Sequence, residues 1–438
     1  MAASSYCIPP PKSGAAYSFY SMVRRNSMKR LLALLTPMGI AAPPYEAPPR
    51  IAVEPYGYVR MNPFFDTRQV VGPRDTDFLF FPEPCVPDCR GKDRNDRGVF
   101  TMLPIETRVG WKFTGPDAFC AKAWALIETD FFGVIDPDVA GLRMRHAFFE
   151  LDAERWKVRF GQYWHPFFVD DCRARTISFN LGAPYGPYAF QPQIRLTWKM
   201  TDTVDVIFAA LSELEFRSDG PIGQNTEYIR NGIVPEFHLQ TQVRPRSDIL
   251  IGAAVDYKRL APRLVNNFDC SVHESIDTVI AELVFAKNWP TISLYTEVIY
   301  SENPRDLQML GGYAVSSISE QDFRTYEPLR FISGWIDVET TSDYIRPGLF
   351  IGFAKNFGTS QPIFLDANGN AITYGLGNTI NYSIRISPRI WFYSKPVSFA
   401  AEIEVSTAAF GTLDRFAVPR NTSAVTNARF LLAGYYHF

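Results

Sequence analysis

The eleven residues ARFLLAGYYHF (428–438) decide the fold. Counted back from Phe438, every second residue is apolar or small, whereas the residues between them include Arg429 and His437. A period of two, with one apolar and one polar face, is typical of a β-strand that lies between two different surroundings. A strand that reaches an aromatic residue at position 438 also differs from the frayed polar ends of most globular domains. We therefore expect Phe438 itself to matter for the fold.

The composition excludes several classes of protein. The chain has 438 residues, a net charge of −2 and no basic cluster, so no nucleic-acid partner is predicted. Aromatic residues make up 15% of the chain, including 35 Phe and 21 Tyr. No apolar run approaches the roughly 18 residues that a membrane-spanning helix needs. Membrane strands are still compatible with this composition, because alternate residues would face lipid and lumen.

The first fifty residues differ in kind from the rest. Residues 1–27 show no periodicity, and we interpret them as a leader upstream of the true start. Residues 28–42, MKRLLALLTPMGIAA, have a basic start, an apolar stretch and small residues, which predicts a signal peptide; a disordered leader is the alternative. Residues 43–52 form a Pro-rich linker in this interpretation, and residues 53–438 form the folded domain.

The remainder of the chain predicts strands and almost no helix. Clean period-two alternation, over stretches of about 8 to 11 residues that suit a tilted membrane strand, occurs in eight places: 105–113, 156–163, 192–200, 236–244, 248–257, 381–387, 397–405 and 428–438. Eight less regular stretches complete the set: 53–66, 119–131, 143–152, 203–212, 275–287, 290–300, 328–337 and 345–355. The total of sixteen is even, as in bacterial outer-membrane barrels.

The connections between these strands alternate between short and long. The short turns lie at 114–118, 152–155, 200–203, 244–247, 287–290, 338–344 and 388–396. The long polar loops lie at 67–103, 131–142, 164–191, 212–232, 259–274, 301–327, 356–378 and 406–426. A soluble sandwich has no reason to keep its long loops at one end, whereas an outer-membrane barrel does. The sequence therefore predicts an all-β fold, a 16-stranded antiparallel transmembrane β-barrel of the bacterial outer membrane, wide enough for an open lumen.

Three stretches resemble the DcaP-like porin family. They are GQYWHPFFVDDCRARTISFNLGAPYGPYAFQPQIRLTW (161–198), YGYVRMNPFFDTRQ (56–69) and LRMRHAFFEL (142–151). The resemblance covers about residues 54–438 and in detail is similar to the version found in Bacteroidota. It implies a trimeric general or anion-preferring porin whose third long loop, 164–191, forms the constriction. A C-terminal Phe438 likewise resembles the signal by which the outer-membrane assembly machinery recognises barrels before they enter the lipid.

The charged residues at the strand positions predicted to face the lumen are the candidates for ion selection, because fixed charges at a constriction select ions by sign. The strand candidates are Arg108, Lys112, Arg159, Arg195, Lys199, Arg385, Glu282, Glu297, Glu402 and Glu404. The candidates on the third loop are His165, Asp170, Asp171, Arg173 and Arg175. Separation of basic and acidic walls would produce a transverse field; the alternative is that these charges form local pairs with no role in selection. The parity of Arg143 and Arg145 is ambiguous, because Ala147 and its apolar neighbours share their register.

Cofactor and enzyme chemistry find no support in the sequence. Cys85 and Cys89 predict a small disulfide in an oxidising compartment, with free thiols as the alternative, and no further Cys or His completes a metal site beside them. Catalytic and nucleotide-binding motifs are absent from the chain, and its five histidines are scattered. No cofactor and no enzyme activity is therefore predicted.

Two functions are compatible with such a barrel. The first is a porin that passes small hydrophilic solutes by diffusion, with a weak preference for anions. The second is a non-conducting adhesin or surface-binding scaffold, which would bind its partner through aromatic residues of the long loops: Phe78, Phe80, Phe81, Tyr185 and Tyr188.

Overall fold

In a computed structural model, which describes residues 51–438, the chain forms a closed antiparallel β-barrel. Its sixteen strands are β1 (Ala52–Asp66), β2 (Val99–Leu103 and Arg108–Thr114), β3 (Lys122–Asp130), β4 (Arg143–Asp152), β5 (Trp156–Trp164), β6 (Phe190–Lys199), β7 (Val204–Leu211), β8 (Glu236–Arg246), β9 (Ile249–Leu260), β10 (Ile276–Asn288), β11 (Ile292–Glu302), β12 (Arg330–Thr340), β13 (Ile345–Gly358), β14 (Ile380–Ser394), β15 (Val397–Leu413) and β16 (Pro419–His437). Each strand pairs with the next along the chain, and β16 pairs with β1. The predicted fold class and strand number are confirmed.

The predictions for the N-terminus are not tested by the structure. The leader at 1–27, the signal peptide at 28–42 and almost all of the linker at 43–52 lie outside the described residues, and β1 already begins at Ala52. Among residues 51–438 the single α-helix, Glu227–Asn231, has five residues, and no helix there has the length and apolar character needed to cross a membrane.

The polarity of the sheet is inverted relative to a soluble protein. On β16 the outward side chains Phe430, Leu432 and Tyr436 are 48%, 58% and 53% exposed, whereas Arg429 on the other face is 1% exposed. The same division recurs on β14, where Ile386 faces outward and Arg385 is buried. An apolar exterior around a charged interior suits a wall between hydrocarbon and a polar lumen.

Strands β1 and β16 form the seam that closes the barrel. Their register runs from Tyr58 opposite His437 to Asp66 opposite Arg429. One further rung lies beyond the strand end: the backbone N–H and C=O of Phe438 bond the C=O and N–H of Gly57, both at 3.1 Å. The last residue is therefore part of the ladder, and the sheet has no unpaired edge at this point.

Most of the predicted connections lie as expected, but the predicted turn at 388–396 is shorter, because β14 runs to Ser394, and the predicted loop at 67–103 ends where β2 begins at Val99. The eighth long connection also differs. The prediction of a loop at 406–426 is wrong, because β15 and β16 continue as a long hairpin that is joined only by residues 414–418. Residues 420–424 at the outer end of β16 are all exposed. The outer end of β16 has water on both faces and needs no apolar alternation, so it carried no period-two signal.

Four external hairpins end in the same type of turn. Asp88, Asn266, Asp366 and Asp414 each accept, through one side-chain oxygen, the backbone N–H groups two and four residues further on. The residue three positions on has positive φ in each case: Gly91, Asp269, Gly369 and Ala417. Such local bonds favour turns over extended strands. Loop segments are also paired further out: Gly311–Ile318, Arg324–Pro328 and Thr373–Leu376 form a three-stranded sheet within the predicted loops at 301–327 and 356–378.

The outward parity of β16 is tested by placing a charge on it. Leu432→Arg puts a guanidinium on the exposed apolar face and should lower the free energy of unfolding in lipid vesicles by about 2 to 4 kcal/mol. Ala424→Arg is the matched control, since Ala424 lies on the same strand in the exposed hairpin, and its effect should stay within about 0.5 kcal/mol. Equal effects of the two substitutions would contradict a lipid-facing position for Leu432.

Candidate pore and constriction loop

The third loop, which joins β5 to β6, folds into the lumen. Most of its residues are buried, including Phe167 and Tyr185 at 1% and 0% exposure. It bonds the opposite wall at several points: the backbone N–H of Arg175 donates to Asp337 Oδ2 (3.0 Å), and the N–H groups of Ile177 and Ser178 donate to Glu402 Oε2. The loop therefore crosses the barrel between strands that are far apart around the sheet.

Three residues of the stretches GQYW (161–164) and QPQ (191–193) determine the backbone geometry at the two ends of this loop. Gly161 has a φ of +128°, and a Cβ atom there would lie 2.2 Å from the carbonyl oxygen of Ala147. The amide of Gln162 donates to the carbonyls of Met144 (2.9 Å) and Arg145 (3.1 Å), beyond the last rung between β4 and β5. The amide of Gln193 donates to the carbonyls of Tyr163 and Trp164, both at 3.1 Å. Side-chain amides thus satisfy backbone groups where the regular ladder stops.

A β-bulge resolves the ambiguous parity of β4. Glu128 pairs with His146 and Thr129 pairs with Met144, so Arg145 is an extra residue in β4. An extra residue shifts the side-chain alternation by one position. Arg143 and Arg145 therefore both point into the lumen, at 2% and 1% exposure, and the strand beyond the bulge follows the other parity.

Arg143 and Arg145 form the centre of a buried cluster of charges and aromatic rings. Arg143 donates to both oxygens of Asp130 (2.9 and 2.6 Å) and to Glu215 (2.8 Å). Arg145 donates to Glu128 at 2.8 Å, and both guanidinium groups lie about 5 Å from the ring centre of Phe190. The sequence analysis missed Asp130 and Glu215 as members of the lumen, because neither lies on a cleanly alternating strand.

Most of the basic strand candidates form ion pairs. The pairs are Arg108 with Glu128 (3.6 Å), Arg159 with Glu150 (2.7 Å), Lys199 with Asp152 (2.7 Å), and Arg385 with Glu402 (2.8 Å) and Glu404 (3.2 Å). Arg195 instead donates to the carbonyl of Trp164 (2.6 Å), and Lys112 lies 5.9 Å from the ring centre of Trp124. Because Glu402 and Glu404 share Arg385, the two acids do not form a separate acidic wall.

The other two acidic candidates, Glu282 and Glu297, are buried beside the third loop. The indole N–H of Trp335 donates to Glu297, and the amide of Gln240 lies 3.4 Å from Glu282. The thiol of Cys172 reaches the same region from the loop and donates to the carbonyls of Phe285 and Thr296 at 3.3 and 3.4 Å. These contacts place Glu282 and Glu297 in the part of the barrel wall against which the third loop packs.

The charges on the third loop divide into paired and unpaired groups. Asp171 pairs with Arg244 (2.8 Å), and Asp170 accepts the hydroxyl of Tyr163 (2.8 Å). Arg173 and Arg175 take part in no ion pair within the part of the chain that the structure describes, although Arg175 lies 4.8 Å from the ring centre of Tyr295. Burial, and after it the charge of Arg175, lowers the pKa of Arg173. The loop therefore carries two neighbouring uncompensated cations.

Three cavities lie in the lumen around this loop. A cavity of about 500 Å³ opens at the long-loop end and includes Arg74, Arg143 and Arg305. Two cavities of about 310 and 400 Å³ open at the short-turn end. The larger of these two is lined by five arginines, with Glu339 as its carboxylate: Arg60, Arg108, Arg173, Arg175 and Arg346.

The structure corrects two further expectations. The aromatic residues proposed for partner binding are not available on the surface, because they are buried in the packing of the first and third loops at 0% to 5% exposure: Phe78, Phe80, Phe81, Tyr185 and Tyr188. Cys85 and Cys89 are exposed free thiols, and no disulfide joins them in this structure. Asp88 and Asp93 order that loop through hydrogen bonds to backbone N–H groups, so its fold does not require an S–S bond.

His165 does not lie on an open surface of the pore. It is fully buried, with Nε2 at 3.3 Å from Glu236 Oε1 and 3.2 Å from Asp256 Oδ2. His238 joins the same group, with Nδ1 at 3.3 Å from Asp256 Oδ2. The sequence analysis predicted no metal site, since these residues are far apart in the chain.

The closed sheet, the apolar exterior and the charged lumen define the class of the molecule: it is a bacterial outer-membrane β-barrel of the porin type. Its fold is similar to that of the outer membrane channel DcaP of Acinetobacter baumannii, with a TM-score of 0.65, 16% identity, and coverage of 89% of this chain and 97% of that chain. The resemblance to DcaP-like porins is confirmed at the level of the fold, whereas the closer similarity to the Bacteroidota version stays a prediction.

Two other solved barrels share the fold. The anion-selective porin from Comamonas acidovorans has a TM-score of 0.52 and 10% identity, with 89% of this chain and 100% of that chain covered. OmpT of Vibrio cholerae, an outer membrane protein solved in a trimer form, also has a TM-score of 0.52 and 10% identity, with 89% and 99% covered. No family model and no curated protein matches the chain by sequence.

Gly161 should be the glycine that the base of the third loop tolerates least. Gly161→Ala combines positive φ with a clash against the Ala147 carbonyl, so we expect a loss of more than about 3 kcal/mol of unfolding free energy. Gly369→Ala is the matched control: its φ is also positive (+81°), but nothing lies within 4 Å of the new Cβ. That substitution should cost only about 1 to 2 kcal/mol. Urea unfolding of both variants measures the difference, and equal losses would refute the clash.

Proposed function

We propose that the protein is an outer-membrane porin through which small hydrophilic solutes diffuse passively, with a weak preference for anions. The observation that carries this proposal is the pair of uncompensated cations, Arg173 and Arg175, on a loop that crosses the lumen. Most other lumen charges are neutralised by a partner within 4 Å and contribute little net field. Among the charged residues that line the arginine-rich cavity, the two without an ion pair within residues 51–438 are therefore both positive.

The arrangement of the cavities supports a route past these two arginines. The arginine-lined cavity opens at the short-turn end, and the cavity with Arg74, Arg143 and Arg305 opens at the long-loop end. At the long-loop end Arg74, Arg143 and Arg305 are paired with Asp136, Asp130 and Asp219. The net positive charge beside the route therefore comes from Arg173 and Arg175, and fixed cations attract anions and repel cations. The anion-selective porin from Comamonas acidovorans has the same fold, which agrees with this function but assigns no selectivity to the present chain.

The alternative functions have less support. A surface-binding scaffold would need accessible side chains on the loops, and the aromatic residues suggested for that role are buried. An enzyme would need a nucleophile and a base in one accessible site, and the sequence shows no motif for such a pair. We therefore favour a channel over an adhesin or an enzyme.

Planar bilayers test the proposal directly. The refolded protein should give discrete conductance steps, and the reversal potential across a salt gradient should lie on the anion side. A folded barrel without conductance would contradict the channel and leave the scaffold as the better account.

The double variant Arg173→Gln and Arg175→Gln tests the selectivity. A charge about 8 Å from the ion path is worth about 0.5 kcal/mol in water, which favours an anion and disfavours a cation by roughly twofold each. The anion-to-cation permeability ratio should therefore fall by roughly four- to fivefold for each arginine removed. Arg420→Gln is the control, since Arg420 is exposed on the external hairpin and pairs with Asp414. An unchanged reversal potential in the double variant would show that other residues set the preference.

Assembly forms a second part of the proposal. The resemblance to DcaP-like porins implies a homotrimer, and a trimer form of a barrel with the same fold agrees with it. Chemical cross-linking of the purified protein should then end at three chains, whereas a monomer alone would refute the trimer. Phe438 serves the assembly machinery in the same proposal, in addition to its place in the closing ladder.

A further inference from the structure

A buried group of two histidines and two carboxylates lies at the base of the third loop. It consists of His165, Glu236, His238 and Asp256, which are 0%, 1%, 3% and 2% exposed. We call it the His–carboxylate cluster. His238 on β8 lies directly opposite Asp256 on β9, and Glu236 is two residues before His238 on the same face of the strand. The backbone N–H of His165 donates to the carbonyl of Ala189 (2.8 Å), which holds His165 against this part of the wall.

The distances within the cluster are those of metal ligands. His165 Nε2 lies 3.2 Å from Asp256 Oδ2 and 3.3 Å from Glu236 Oε1, and His238 Nδ1 lies 3.3 Å from Asp256 Oδ2. In a tetrahedral zinc site with bonds of about 2.0 to 2.1 Å, geometry places neighbouring donor atoms about 3.3 Å apart. One ligand atom from each of His165, His238 and Asp256 lies within 4.8 Å of the others.

Several polar atoms of the cluster have no hydrogen-bond partner among residues 51–438. They are His165 Nε2, His238 Nε2, Asp256 Oδ1 and both carboxylate oxygens of Glu236. Buried polar atoms are nearly always satisfied, because removing them from water without a partner is costly. A cation bound between the rings and the carboxylates would satisfy the His165 nitrogen and an oxygen of Glu236 together.

The local charge favours a divalent cation. Lys258 lies within charge–charge range of Glu213, Glu236 and Asp306, and it forms an ion pair with Asp306. Arg195 lies within range of His238. As metal ligands both histidines are neutral, and the four carboxylates of this region (Glu213, Glu236, Asp256 and Asp306) then exceed these two cations by two negative charges. One divalent ion would restore the balance.

We propose that the His–carboxylate cluster binds Zn²⁺, with His165, His238 and Asp256 as ligands and Glu236 as the fourth. Imidazole and carboxylate donors suit zinc and related borderline cations better than Mg²⁺ or Ca²⁺, which prefer oxygen ligands alone. His165 Nδ1 now accepts a long hydrogen bond from the N–H of Phe167 (3.3 Å). Metal binding at Nε2 moves the ring proton to Nδ1, so this weak bond is exchanged for the metal bond.

The position of the cluster gives the metal a structural task. His165 is the first residue of the third loop, and the carbonyl of the adjacent Pro166 accepts the amide of Gln240 on β8 at 3.3 Å. A bound zinc ion would link the loop directly to β8 and β9. The metal therefore fixes the start of the loop on the wall opposite to Glu402, which holds its middle.

Calorimetric titration with ZnCl₂ tests the site on the full chain after treatment with chelator. We expect one Zn²⁺ per chain, and a loss of affinity of about 100-fold or more in His238→Gln and in Asp256→Asn, since each removes a ligand. His146→Gln is the matched control, because His146 is also a buried lumen histidine but lies beside Arg145 and 3.8 Å from Glu128; it should keep the wild-type affinity. Heat-dependent migration in electrophoresis shows whether each variant has folded.

A second measurement needs no variant. Co²⁺ added to the wild-type protein should give the visible absorption of a tetrahedral nitrogen and oxygen donor set, and Zn²⁺ should abolish it. No binding near one equivalent, equal affinity in His238→Gln, or a Co²⁺ spectrum of the octahedral aqua ion would each overturn the proposal. Because these readouts do not depend on conductance, they remain valid if the porin proposal fails.

Discussion

The structure depends on one constraint: no backbone N–H or C=O group can remain unpaired in hydrocarbon. Antiparallel strands meet it only when the sheet closes on itself, and the ladder between β1 and β16, extended by Gly57 and Phe438, completes that closure. Closure creates an inside and an outside, and alternation sends neighbouring side chains to opposite sides. The apolar exterior and the charged lumen are therefore consequences of hydrogen bonding as much as of hydrophobicity.

The lumen charges serve chiefly to position the third loop. Glu402 receives two backbone N–H groups of the loop and also binds Arg385, so the same carboxylate is an anchor and a neutralised charge. Buried ion pairs of this kind contribute geometry more than net stability, because desolvation offsets their attraction. A charge contributes to ion selection only where it lacks such a partner. In the proposed channel, selectivity would then depend on few residues even though many line the barrel.

The sequence predicted those features that follow from alternation and loop length. It predicted the sixteen strands, the apolar exterior with a charged interior, and the third long loop, since each of these leaves a local pattern. It did not predict the parity of Arg143 and Arg145, which depends on a bulge at Arg145. It also did not predict the long outer hairpin of β15 and β16, because the outer end of β16 has water on both faces. The sequence also did not predict the His–carboxylate cluster. His165, His238 and Asp256 are far apart in the chain, and they meet only because of the register of β8 and β9 and the position at which the third loop begins.

In the proposed porin, the way the third loop is fastened has a consequence for the size dependence of permeation. Glutamine amides hold both of its ends, and Glu402 and Asp337 hold its middle, so no long segment is free to swing. A mobile constriction loop would occasionally move aside for large solutes, and permeability would then decline gradually with solute size. A stiff obstacle behaves like a rigid mesh, whose permeability falls abruptly once a solute exceeds the aperture.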